Sequence, residues 1–164
     1  MAIRFTTGDL LACLEAEAIV NPVNCVGVMG KGLALQFRQR WPTNYAAYQE
    51  ACRAGTLDIG VVHVHKLPHG TWPKYIFNLP TKRHWRDPST LDGVTRGAAS
   101  LARLLSDLGI RRVAIPALGC GLGGLSWIDV RPLLESTFGP LANVDALVFE
   151  PEPGRLARFL PGSL

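Results

Sequence analysis

Apolar and polar positions follow two periods along this chain, and short strand patterns alternate with helical ones. Ile3 to Thr6 and Ala18 to Asn21 read as strands. From Gly30 to Trp41 the residues Leu33, Phe37 and Trp41 recur at helical spacing, and Pro42 is expected to stop that helix. Thr43 is the expected cap of a second helix, Asn44 to Ala54, with Tyr45 and Tyr48 on one face. Val61 to Leu67 and Tyr75 to Leu79 read as strands separated by the turn-rich Pro68 to Pro73. The longest helix is expected to open at Ser89, which with Asp92 makes a capping-box pattern. Its stripe is Leu91, Val94, Ala98, Leu101, Ala102, Leu105 and Leu108, and Gly109 ends it. A strand from Val113 to Leu118, a helix from Ser126 to Phe138 and a strand from Val144 to Phe149 complete the series. Strands interleaved with helices predict an α/β fold, its sheet covered on both faces.

Composition narrows this picture. A chain of 164 residues, 48% apolar and 18% charged, fits one globular domain, here residues 1–155. Residues 156–164, ending Pro-Gly-Ser-Leu, read as a tail or the start of a linker to a further domain. No apolar run approaches the ~20 residues that span a bilayer, and Met1 to Phe5 lacks a signal-peptide core. A cytoplasmic protein without membrane contact is expected. Cys13, Cys25, Cys52 and Cys120 are scattered, which points to reduced thiols rather than a zinc or disulfide framework. His63 and His65 share a strand face but no carboxylate or cysteine accompanies them, so no metal is expected. Net charge is +4, and seven cations between Lys82 and Arg112 face only Asp87, Asp92 and Asp107. Such a stretch favours a polyanion, although a solvated helix face would read the same way.

Candidate chemistry gathers in the glycine-rich loops. Gly119-Cys-Gly-Leu-Gly-Gly124 follows an apolar strand and precedes a helix, so its backbone N–H groups form a phosphate cradle. The string also fits a dinucleotide fingerprint, but only 40 residues follow Gly124, too few for the rest of a doubly wound sheet. The remaining ligand contacts must therefore lie upstream. Gly8-Asp9-Leu10 offers a carboxylate that can accept from an exocyclic amine such as adenine's. Asn24 ends the second strand, free to bond a sugar hydroxyl. Met29-Gly-Lys-Gly-Leu-Ala34 is a second glycine-rich turn opening a helix. Two facing cradles suit a diphosphate flanked by two sugars.

With these residues in place, the chain resembles the macrodomain family from about Ile3 to Pro151. The resemblance rests on Gly8-Asp9, on Ile19-Val-Asn-Pro-Val-Asn24 and on Pro116-Ala-Leu-Gly-Cys-Gly-Leu122. It implies a three-layer α/β/α fold with a central mixed, mostly parallel sheet, and ADP-ribose as ligand without a cofactor. Asn24 to Ala34 and Asn78-Leu-Pro-Thr-Lys82 resemble the branch of terminal ADP-ribose glycohydrolases. Within it the similarity is to DNA ADP-ribosyl glycohydrolase antitoxins, which clear ADP-ribose from thymidine after a DarT-type toxin has acted.

That resemblance implies catalytic roles for Lys82 and Asn24. For ADP-ribose it implies contacts from Gly8, Asp9 and Leu10, from Gly30, Lys31, Gly32, Leu33 and Ala34, and from Thr81. The backbone from Gly119 through Cys120 and Gly121 to Leu122 would hold the diphosphate, with Leu118 and Gly123 as further ADP-ribose contacts; Asn24 would bind and orient the distal ribose, and Phe149 would lie beside adenine. Arg83, His84, Trp85 and Arg86 would contact ADP-ribosylated single-stranded DNA, the phosphates by charge and a base by stacking. The toxin itself would be a partner through a C-terminal region beyond this chain. As a nucleophile Lys82 needs a neutral amine, favoured by burial or by its neighbours Arg83 and His84; protonated, it would assist departure of the base. Gly123 departs from the aspartate that protein-ester glycohydrolases carry there. A non-enzymatic ADP-ribose reader and a glycohydrolase acting on protein remain alternatives.

Overall fold

Apolar residues on both faces of the central strands need cover on both sides, and helices supply it. The computed structural model describes residues 2–152. Its strands are β1 (Ile3–Thr6), β2 (Ala18–Val23), β3 (His63–Lys66), β4 (Tyr75–Pro80), β5 (Arg112–Pro116) and β6 (Asp145–Phe149). The helices are α1 (Gly32–Arg40), α2 (Pro42–Arg53), α3 (Leu91–Asp107) and α4 (Trp127–Phe138), with a 3-10 turn at Leu10–Ala12 that periodicity did not reveal. Sheet order is β1-β6-β5-β2-β4-β3, parallel throughout except for β3 against β4. This is the expected three-layer arrangement. Ala18, Val20, Phe77, Leu79, Val113 and Ile115 pack on α3 and α4. Alternate residues Ile19, Ile76 and Ala114 turn to the other face, against Phe37, Trp41 and the 3-10 turn.

Several local expectations change. Pro42 does not merely stop α1; it is the first residue of α2, where its missing N–H costs nothing, and Trp41 rather than Thr43 is the capping residue. Helix α3 is capped by Thr90, whose hydroxyl accepts the Gly93 N–H at 3.0 Å. Ser89 is buried instead. Val94, Ala98, Leu101, Ala102 and Leu105 of the predicted stripe are buried, whereas Leu91 and Leu108 at its ends are exposed. Gly97 matters by its size, because a β-carbon there would lie 2.8 Å from Leu79 Cδ2 on β4. The segment 156–164, expected to be a tail or linker, lies outside the described residues. No helix among the described residues is long and apolar enough to cross a membrane.

Between the sheet and α2 lies a buried polar network. Asn78 on β4 exchanges hydrogen bonds with Asn44 on α2, at 2.8 and 3.2 Å, and accepts from Asn21 on β2 at 3.1 Å. Its Nδ2 also lies 3.0 Å from Nδ1 of His63 on β3. An amide nitrogen can only donate, so His63 Nδ1 accepts and must be unprotonated. Burial likewise holds His63 below its ordinary value of 6.5. A depressed folded-state pKa means that stability is full above 6.5 and is lost as pH falls through the lower folded value. The denaturant midpoint is therefore expected to drop on acidification. His63→Gln, which keeps an acceptor but cannot titrate, should lose part of that dependence, with His65, also depressed by burial, contributing a further part. An unchanged pH slope in the variant would remove His63 as the cause.

Candidate functional site

Chain connections leave β2 toward β4 on one side, and leave β5 toward β6 on the other. The gap between the β2–α1 and β5–α4 loops is thus a topological switch point at the carboxyl edge of the sheet, the usual ligand position in open α/β sheets. The two glycine loops do face each other there. A β-carbon added at Gly32 would lie 3.7 Å from Leu122 Cδ1 across the cleft. Gly8-Asp9 follows β1, Phe149 ends β6 between Thr6 and Pro116 in the ladder, and Thr81 with Lys82 follows β4. All the predicted site segments therefore open on one edge.

Inside the β5–α4 loop, turn hydrogen bonds use some donors and spare others. The N–H groups of Cys120, Gly124 and Leu125 go to the carbonyls of Ala117, Gly121 and Gly119. Among the described residues nothing accepts from the N–H groups of Gly121, Leu122 and Gly123. Across the cleft, α1 begins at Gly32 with Lys31 as a cap that makes no side-chain bond, so the first-turn N–H groups of Gly32, Leu33 and Ala34 are also unspent. Donors on both sides of a cleft, one set at a positive helix end, make an anion site. Gly30, Lys31, Gly121 and Leu122 are exposed on it.

Two glycines of the loop are set by space rather than by ligand. Gly119 has φ +75°, and a β-carbon on it would lie 2.7 Å from Leu125 Cδ1. At Gly123 a β-carbon would overlap Ser89 Oγ and lie 2.6 Å from the Gly119 carbonyl oxygen. Ser89 therefore occupies the room that an aspartate at 123 would need; its own N–H donates to the Gly123 carbonyl at 3.0 Å. Nothing in the sequence marked Ser89 for this, since its capping pattern suggested another role.

Other predicted residues separate into side chains that face the cleft edge and side chains that do not. Leu10 and Leu118 are buried core residues, so only their backbones can meet a ligand. Cys120 is buried too, with its thiol 3.6 Å from the Leu118 carbonyl. Leu33 and Phe149 are half-buried against the cluster around Phe37. Asp9 is exposed, but its Oδ1 caps the 3-10 turn by accepting the Leu11 N–H at 2.9 Å. Arg40, missed by sequence, ties that turn to α1 by donating to the Leu11 carbonyl at 2.8 Å. Asn24 is buried and its amide is committed to its own loop, not free as expected: Nδ2 donates to the Val28 carbonyl at 2.8 Å and Oδ1 accepts the Val26 N–H at 3.1 Å.

The segment after β4 is stitched to that loop. Thr81 N–H donates to the Val23 carbonyl at 3.0 Å, and Cys25 N–H to the Arg83 carbonyl at 2.9 Å. The Cys25 thiol lies 3.8 Å from the Lys82 carbonyl, and burial pushes it up to about 11, so it stays uncharged at neutral pH. Lys82 is half-buried, and that burial lowers its amine pKa while Asp87 pulls the other way. Of the two expected causes, burial is the one that acts, and Arg83 and His84 contribute nothing. Arg83 is instead turned to Asp58 in an exposed ion pair at 2.9 Å. Trp85 is 47% exposed between His84, at 5.0 Å between rings, and the Arg86 guanidinium, 4.6 Å from its centroid. It projects outward.

The sheet, its switch-point cleft and the two facing sets of backbone donors define an α/β/α domain built to hold an anionic ligand. A family model for the Macro domain matches residues 20–134, and the chain belongs to the macrodomain family. It is 47% identical over 155 residues to a Mycobacterium tuberculosis protein named DNA ADP-ribosyl glycohydrolase, covering 94% of this chain and 44% of that protein. The chain thus spans less than half the length of that curated relative. Among solved structures, the macrodomain of Thermus aquaticus DarG superposes with a TM-score of 0.88 at 44% identity, covering 91% of this chain and 98% of that one. Thermosipho africanus DarTG in complex with ADP-ribose gives 0.83 at 32% identity, covering 92% and 42%.

A β-carbon at Gly121 would meet nothing within 4 Å, in contrast to Gly119. If this loop holds the ADP-ribose that the resemblance implies, Gly121→Val is expected to abolish its binding by calorimetry with little change in melting temperature. Gly119→Val should lose binding and stability together, by about 2 kcal/mol or more from overpacking and a strained φ. Binding that survives in Gly121→Val would show that this loop is not where the anion sits.

Proposed function

We propose that this chain binds ADP-ribose in the switch-point cleft and hydrolyses the bond joining it to thymidine in single-stranded DNA. The activity would reverse a DarT-type toxin in the cytoplasm, with any toxin contact made by a region outside this chain. The observation that carries the reading is Lys82: a half-buried lysine with a lowered pKa, stitched to the loop that holds Asn24, at the same edge as both cradles. Similarity to relatives named DNA ADP-ribosyl glycohydrolase, at 44–47% identity, supports the DNA substrate. The diphosphate would take the unspent N–H groups of Gly32 to Ala34 and Gly121 to Gly123. Adenine would lie toward Asp9, whose second carboxylate oxygen remains for its amine, and toward Phe149.

Hydrolysis breaks the bond from the anomeric carbon to the base nitrogen, and water ends on the sugar while the base takes a proton. A neutral Lys82 would act as the nucleophile, and a protonated one as the group that helps the base depart. Burial favours the first by disfavouring charge. The exposed stack of His84, Trp85 and Arg86, beginning two residues after Lys82, offers an aromatic face and a cation to the strand that carries the modification. Arg83 contributes less, because Asp58 already neutralises it. Ser89 leaves no room for a carboxylate at position 123, which fits a mechanism centred on the lysine.

Wild type is expected to release ADP-ribose from thymidine-modified single-stranded DNA, and Lys82→Ala to bind free ADP-ribose with unchanged affinity while turnover falls by at least about a hundredfold. Both release and binding are expected to survive a chelator. Full turnover in Lys82→Ala would overturn the mechanism. A wild type that binds ADP-ribose but cleaves neither DNA-linked nor protein-linked forms would make the domain a reader.

A further inference from the structure

The β2–α1 loop is held from beneath by a residue that no motif picks out. Tyr48 on α2 is fully buried, and its hydroxyl lies 2.7 Å from Asn24 Oδ1 and 2.8 Å from the Asn24 carbonyl oxygen. Burial holds the phenol well above its ordinary range, so it is a proton donor at any physiological pH. Asn24 Oδ1 also receives the N–H of Val26 at 3.1 Å and of Val28 at 3.4 Å. Two backbone donors on one amide atom identify it as the oxygen, so the orientation of the side chain is settled by its network.

The count of donors and acceptors then has a consequence. Oδ1 has two lone pairs, and the Val26 and Val28 N–H groups together with the single Tyr48 O–H, which Oδ1 shares with the Asn24 carbonyl, fill them, so it has no capacity left for a ligand hydroxyl. Nδ2 has two hydrogens and gives one to the Val28 carbonyl. One hydrogen is left. Asn24 can meet a ligand only as a donor, through that hydrogen, and only while Oδ1 is kept turned inward.

We propose that Tyr48 is a positioning residue for this site, holding Asn24 so that its remaining Nδ2 hydrogen is donated to an oxygen of the distal ribose. The inference rests on the reading that ADP-ribose is the ligand. Tyr48 touches no ligand; it acts through the amide. Without its hydroxyl the amide is tied only to its own loop, and loop and amide can shift together.

The test is a double-mutant cycle of Tyr48→Phe and Asn24→Ala, read by calorimetric ADP-ribose affinity, by turnover on thymidine-modified DNA and by melting temperature. Tyr48→Phe is expected to weaken ADP-ribose affinity about fivefold in the wild-type background and to have no further effect on affinity in Asn24→Ala, although it lowers melting temperature in both. Asn24→Asp, which keeps the acceptors but loses the donor, is expected to bind no better than Asn24→Ala. An equal effect of Tyr48→Phe in both backgrounds would make the tyrosine merely structural and overturn the proposal, as would wild-type affinity in Asn24→Asp. A wild type that binds ADP-ribose but releases none from DNA sinks the glycohydrolase reading alone, and the affinity cycle still decides the role of Tyr48. Failure of the wild type to bind ADP-ribose would sink both.

Discussion

A backbone N–H that is paired neither in a helix nor in the sheet must find an acceptor elsewhere. In this chain two sets of such donors meet at one place. The N–H groups of Gly121, Leu122 and Gly123 have no acceptor among the described residues, and those of Gly32, Leu33 and Ala34 begin a helix. Because both loops leave strands at the switch point, the two sets converge on one cleft instead of being solvated separately. The rest of the site is arranged around keeping them there. Val94, Leu125 and Ser89 pack so closely under the loop that only glycine fits at 119 and 123.

The chemistry of the cleft depends on the same economy of hydrogen bonds. Asn24 has spent all but one of its amide hydrogen-bonding positions on its own loop and on Tyr48. Lys82 owes its depressed pKa to desolvation, at a strand end whose residues 81–83 are stitched along residues 23–25. Deeper still, Asn21, Asn44 and Asn78 lock β2 and β4 to α2, so the strand ends that carry Asn24 and Lys82 are anchored by a common network. A shared anchor of this kind would suit the proposed reaction, in which a lysine meets one carbon atom of a sugar.

Electrostatics divides the cleft lengthwise. Asp9 lies at the β1 end, and the cations after β4 lie at the other. Of these, Arg83 is paired with Asp58, whereas Arg86 lies over the exposed ring of Trp85. A negatively charged polymer would thus be met at the lysine end rather than along the whole cleft.

Alternation of strand and helix, the α/β class and the two glycine loops were legible in the sequence because each is written in neighbouring residues: period 2, period 3.6, and glycines at a strand-to-helix turn. Residues such as Val94 and Leu101 declare their face within one helical turn. The cap of α3 was misread by one residue, and Pro42 was read as a stop when it is a start, because either choice satisfies the same local pattern and only packing selects between them. Long-range allocation decided the rest. That Asn24 is a donor and not free, that Arg83 belongs to Asp58, that Ser89 fills the space beside Gly123, and that Tyr48 holds the loop all depend on partners distant in sequence. A hydrogen-bonding group has a fixed capacity but no written address, so sequence names the groups that can act and tertiary structure determines which of them are still free to do so.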